Sequence, residues 1–194
     1  MPGFRNIPNF RIFSTDSYPE ERIEVNIPLY ILLAIVIFLV WKYWALLIGA
    51  GYDPTPMDKV DKMLALAKVT KDDVLYDLGS GDGRILIAAT RKYGCRAVGI
   101  EADPLRFLIS WFKIRRSGLS GRISVKLGNF FNRSISDATV ITLFLYKPTN
   151  ERLEARFKDE LKPGTRIVSY IWKMPGWLAS EELRAEEIYL YLSH

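Results

Sequence analysis

The 194-residue chain has room for one domain of ordinary size plus an appendage. Its net charge of +5 comes from scattered basic residues with no long Lys/Arg block, which argues against a nucleic-acid partner and suits anionic lipid headgroups. One cysteine, Cys95, excludes an internal disulfide and a CxxC metal site, and the only histidine, His194, ends the sequence, so chemistry must come from a cofactor, carboxylates, hydroxyls or backbone groups, with no metal expected.

Residues 1–26 read as a polar, proline-containing arm. Its acids, Asp16, Glu20, Glu21 and Glu24, are unlike a mitochondrial transit peptide, and the apolar run begins too late for a secretory signal. Residues 27–50 are almost wholly apolar. Ile27 to Trp41 carries no charge and would span about 22 Å as a helix, short for a hydrocarbon core of ~30 Å. Lys42 interrupts, and Tyr43 to Ala50 continues apolar. Trp41, Lys42, Tyr43 and Trp44 form a belt suited to headgroup depth. Because the segment is apolar on all sides, the expectation is a single transmembrane helix, the alternative being a segment that lies on the bilayer or packs on another helix. Arg5, Arg11 and Arg22 precede it; Lys42, Lys59, Lys62 and Lys68 follow, which favours a C-terminal domain on the cytoplasmic side, or the matrix side in an organelle.

From Gly51 the pattern alternates between helix and strand. Helices are predicted at 57–69, 84–93, 104–117 and 150–161, and strands at 74–78, 96–101, 123–127, 139–146, 166–171 and 187–192. Pro104 suits a first helical turn. The segment 139–146 (TVITLFLY) is apolar on both faces, as a central parallel strand is. This order predicts a doubly wound α/β sheet over residues 51–194.

The loop Asp77-Leu78-Gly79-Ser80-Gly81-Asp82-Gly83-Arg84 follows the first strand. A dinucleotide loop reads GxGxxG and holds a pyrophosphate. Here the third glycine comes one residue early, Arg84 stands where that fingerprint needs glycine, and Asp82 would repel a pyrophosphate. A cofactor with a cationic end and no phosphate, such as S-adenosylmethionine, suits the loop better. Glu101 ends the next strand, where a carboxylate can accept from both ribose hydroxyls. Asn129 follows the third strand, where an amide can meet an adenine edge. All three lie at carboxyl ends of strands, the ligand-binding edge of open α/β sheets.

The stretches VLYDLGSGDGRI, AVGIEADP and LGNF resemble the motifs of class I S-adenosylmethionine-dependent methyltransferases. With YDPTPMDKVDKML before the loop, LKPGTRIVS and a terminal IYLYL, the chain is similar, over about 51–194, to a family of protein-lysine methyltransferases. That family includes archaeal enzymes of broad specificity and membrane-anchored mitochondrial enzymes acting on the ATP synthase c-subunit and the adenine nucleotide translocase. The resemblance implies a Rossmann-like seven-stranded sheet with helices on both faces, preceded by the apolar anchor. It implies that Gly79, Ser80, Gly81 and Gly83 admit the methionine moiety, that Asp77 and Asp82 bind or orient its ammonium, and that Glu101 and Asn129 hold ribose and adenine. Tyr52, Thr55 and Tyr146 are the expected lining of the lysine channel, while Trp172 and Trp177 shape its mouth or cover the sheet. The expected partners are a protein substrate with an accessible lysine, at or in a membrane, and the lipid bilayer. Alternatives are a lipid or small-molecule acceptor, and a non-catalytic cofactor-binding module.

Overall fold

The computed structural model describes residues 26–47 and 53–194, with side chains in the first helix described to Val40. That helix, α1 (Ile27–Leu47), starts with the Asn26 side chain accepting from the Leu29 N–H at 3.1 Å. Every described α1 side chain is exposed. Among the described residues no helix is long and apolar enough to cross a membrane, so the expected transmembrane helix is not found as such.

Beyond α1 the order is α2 (Met57–Leu66), β1 (Val74–Leu78), α3 (Arg84–Tyr93), β2 (Arg96–Glu101), α4 (Pro104–Arg116), β3 (Ile123–Leu127), β4 (Val140–Leu143), α5 (Lys147–Glu160), β5 (Arg166–Tyr170), β6 (Glu181–Leu183) and β7 (Ile188–Leu192). The strands form one seven-stranded sheet in the order β3-β2-β1-β4-β5-β7-β6. Strands β1 to β5 pair in parallel, and β7 runs antiparallel between β5 and β6. The two central strands, VLYDL and VITL, are buried at every position, which is why they are apolar on both faces apart from Asp77 and Thr142.

Two apolar layers flank the sheet. Val60, Met63 and Leu64 of α2 join Ile85, Leu86 and Ala89 of α3 and Ile114 of α4 on one face. Leu153 and Phe157 of α5 pack on the other, with Ile135 and Phe130 from the β3–β4 connection. Losing either α5 anchor to alanine would cost ~2–5 kcal/mol.

The predicted elements differ from the observed ones mainly at the ends. Strand β4 stops at Leu143, three residues before the predicted end, and α5 starts at Lys147 instead of Asn150. Pro148 explains the early start, since its fixed φ suits the first turn of a helix. Strand β6 is not predicted. Its sequence, Glu-Glu-Leu, has no apolar alternation, and it exists through pairing with β7.

Candidate active site

The switch point of the sheet lies between β1 and β4, and a solvent-open cleft forms at the carboxyl end of these strands. The glycine loop makes its floor. The N–H groups of Gly79 and Ser80 both donate to the Ile100 carbonyl, at 2.9 and 3.1 Å, which fastens the loop to the end of β2. Gly99 permits this, because a Cβ there would come within 2.6 Å of Ser80 Oγ and of Leu86 Cδ1. Gly83, at φ 79°, packs against α4 so closely that a Cβ would collide with Ser110 Oγ. A Cβ at Gly81 would meet nothing within 4 Å, which leaves that side of the loop open to a ligand.

Asp77 lies at the end of β1, buried, with Oδ1 accepting from the Thr142 hydroxyl at 2.8 Å. Burial pushes its carboxyl up to about 7; the Thr142 hydrogen bond pulls down and the Glu101 and Asp82 charges push up further. No salt bridge to Asp77 forms among the described residues. A buried carboxylate at the wall of an open cleft, with no cation beside it, is built to receive one.

Glu101 is also buried. Its Oε2 accepts from the Gly81 N–H at 2.7 Å and its Oε1 from the Asp103 N–H at 2.9 Å. A carboxylate has about four acceptor positions, so two backbone donors leave room for two ribose hydroxyls. Asp103 in turn caps α4, accepting from the Leu105 and Arg106 N–H groups.

Asp82 is placed differently. Arg84 Nε donates to its Oδ1 at 2.9 Å and Arg84 Nη2 to its Oδ2 at 3.0 Å, and Lys113 Nζ donates to Oδ2 at 2.6 Å. Burial acts against its charge, but Arg84 and Lys113 outweigh burial and hold the carboxyl down to about 2. It therefore meets a ligand ammonium only as one partner in an existing charge cluster. Arg84 also donates from Nη1 to the Thr55 carbonyl at 3.2 Å, tying the segment before α2 to the glycine loop.

Thr55 is buried and lines the cleft through this contact. Tyr52 lies outside the described residues. Tyr146 is exposed at the start of α5, one residue past Leu145, which lines the cleft; its ring meets Trp172 edge-on at 6.0 Å. The residue before that tryptophan, Ile171, has φ 63°, a left-handed conformation costly for a β-branched side chain. The Trp172 carbonyl is held by Ser169 Oγ at 2.6 Å and Asn150 Nδ2 at 3.0 Å, and these bonds support the turn. Trp177 instead packs on Phe157, covering the sheet. Asn129 caps the short turn Phe130–Asn132, its side chain accepting from the Phe131 N–H at 2.9 Å, and it is not among the cleft residues.

Sequence reasoning missed the bridging part of Arg84 and that of Lys113. The signal for the first was visible: a basic residue immediately after a loop that carries an acid. Lys113 sits 31 positions from Asp82, and only the packing of α4 on the loop shows their pairing.

This strand order, with a glycine loop that carries the carboxylate of Asp82 and an acidic residue at the end of β2, defines a class I S-adenosylmethionine-dependent methyltransferase. Comparison with known proteins narrows the class: the ANTKMT methyltransferase domain matches residues 77–181, and the chain belongs to that family. It is 43% identical over 148 residues to a protein-lysine N-methyltransferase of Saccharolobus islandicus, covering 73% of this chain and 92% of that one. It is 29% identical to the adenine nucleotide translocase lysine N-methyltransferase of Mus musculus, covering 71% of this chain and 65% of the relative. Among solved structures, an RNA methyltransferase from Salinibacter ruber in complex with S-adenosyl-L-homocysteine superposes with a TM-score of 0.70 at 40% identity, covering 72% of this chain and 93% of that one. S-adenosylmethionine is accordingly the methyl donor, and the buried Asp77, the open side of Gly81 and the spare acceptor positions of Glu101 fit it.

Proposed function

We propose that this protein methylates lysine side chains of proteins, and that α1 holds it at a membrane where its substrates lie. The observation that carries the lysine reading is the 43% identity to an archaeal protein-lysine N-methyltransferase over nearly that enzyme's whole length. The membrane reading rests on α1, whose described side chains are apolar and exposed all round apart from its Asn26 cap.

When bound, S-adenosylmethionine supplies a methyl group whose carbon–sulfur bond breaks as the bond to the amine nitrogen forms, the sulfur keeping the electron pair. Asp77 would hold its ammonium end, and Glu101 its ribose. Leu145 and Thr55 line the cleft, Thr55 being tied to the glycine loop by Arg84. In this reading the Tyr146–Trp172 pair, one residue past Leu145, borders the lysine entrance. An incoming lysine must be neutral to attack. Apolar walls and a neighbouring positive charge both lower an amine's pKa, so the proton leaves to water as the side chain enters. Alignment by these walls supplies the catalysis, with no strong base needed.

The test is transfer of labelled methyl from S-adenosylmethionine in membranes and extracts of the source cells. The expected result is label in discrete protein bands, recovered as methyl-lysine and lost in Asp77→Asn. One observation favours a second reading: the Salinibacter ruber neighbour, 40% identical to this chain, is an RNA methyltransferase by name. Label confined to RNA would establish that reading, and label confined to extracted lipid would replace both.

A further inference from the structure

The outer face of α4 is built the wrong way round for water. Ser110 and Ile114 are its buried residues. Directly opposite, at helical spacing, stand Leu105, Leu108, Ile109 and Phe112, all exposed, with Leu108 and Phe112 each at 56%. Trp111 is exposed beside them. The stripe ends in Arg115 and Arg116, whose guanidinium groups lie over the Trp111 and Phe112 rings at 4.6 and 5.7 Å.

The chain segment that carries this helix is also basic. Between Asp103 and Asp137 the chain has seven basic residues, from Arg106 to Arg133, and no acidic one. The whole chain carries only +5, so the remainder is net negative. This segment comprises α4 and β3, the edge strand of the sheet, so the positive charge and the apolar stripe occupy one end of the domain.

We infer that α4 docks on an anionic lipid surface, with Leu105, Leu108 and Phe112 entering the acyl boundary, Trp111 at headgroup depth, and Arg115 and Arg116 on lipid phosphates. Aliphatic residues with an aromatic and arginines at the rim are the composition of an interfacial helix. A nucleic acid would use the arginines but leave the leucines in water. A second copy of this chain would bring Arg115 and Arg116 against a surface of the same sign. The inference concerns the folded domain and does not depend on α1 entering the bilayer. It also bears on the active site, because Lys113 of the same helix holds Asp82 of the glycine loop at 2.6 Å.

The test places a polarity-sensitive fluorophore on Leu108→Cys in the full-length chain; Cys95 is buried and the parent chain serves as the labelling control. With phosphatidylglycerol-containing vesicles, the emission should shift to the blue and be quenched by lipids carrying shallow spin labels. With phosphatidylcholine alone it should stay water-like. Arg115→Glu with Arg116→Glu should weaken the response by about tenfold or more. Water-like emission on both vesicles, even with the protein vesicle-bound through α1, would overturn the inference and leave the anchor intact. So would a blue shift that tracks protein concentration without lipid, which means a second copy, or one that appears only with RNA.

Discussion

The Thr142 hydroxyl donates to the Asp77 carboxylate at 2.8 Å across the β1–β4 junction, and this hydrogen bond joins the two central strands at the cofactor cleft. A single neutral hydroxyl does not compensate a buried charge. That imbalance sets the site's response to pH.

Cofactor binding should depend on Asp77 ionisation. In the ligand-free protein burial lifts this group to about 7, whereas an unfolded chain has it near 4. The folded state thus binds the extra proton between those values, and stability falls as pH rises through that window. Binding of a cationic ligand end reverses the preference and expels the proton. Titration calorimetry in buffers of different ionisation enthalpy should show proton release on S-adenosylmethionine binding below pH ~7, and none well above it. Asp77→Asn should raise the melting temperature of the ligand-free protein at pH 8 while abolishing that binding.

Gly83→Ala should destabilise the protein by roughly 2–3 kcal/mol, from ~1–2 for a left-handed backbone and the rest for contact with Ser110 Oγ. Ser110→Ala should be neutral or stabilising by itself, because its buried hydroxyl has no hydrogen-bond partner among the described residues. Combined, the two should recover the contact share but not the backbone share. Chemical denaturation of the four variants measures this; simple additivity would show that the two sites do not touch.

Arg84→Leu should unfasten the segment before α2 from the glycine loop, since it removes the bonds to Asp82 and to the Thr55 carbonyl. Asp82 contributes stability that is present above its ordinary carboxylate value and lost as pH falls toward about 2. With Arg84 gone, acid unfolding should begin at higher pH. Hydrogen exchange around Thr55 should quicken, and cofactor affinity should drop by about tenfold or more.

Asn150→Ala should cost about 1–3 kcal/mol, since the carboxamide is fully buried and supports the Trp172 carbonyl. It should raise KM for a protein substrate while leaving S-adenosylmethionine affinity close to wild type, because the proposed lysine entrance includes Trp172, whereas the cleft lining does not. Equal losses in both would assign Asn150 to general stability instead.

Much of the fold was legible in the residues. The strands Val74–Leu78, Arg96–Glu101 and Ile123–Leu127 follow from β-rich runs bounded by turn signals, and the helix Arg84–Tyr93 from its apolar spacing. The glycine loop and Glu101 were legible for the same reason: they lie at ends of strands whose order is local along the chain. What could not be read were pairings between distant segments, such as Lys113 with Asp82, Arg84 with Thr55, and β6 with β7. The cap that Asn129 makes on its own turn, accepting from the Phe131 N–H, was likewise not read from the sequence.

The sequence by itself determined the α/β order, the cofactor class and the apolar character of the segment at Ile27–Leu47, because each depends on residue types at short spacing. Only the tertiary structure decided that Asp77, and not Asp82, has no cation beside it among the described residues, and that the apolar stripe of α4 faces outward. Both depend on which side chains from remote segments arrive beside a given residue, and periodicity along a chain does not encode that.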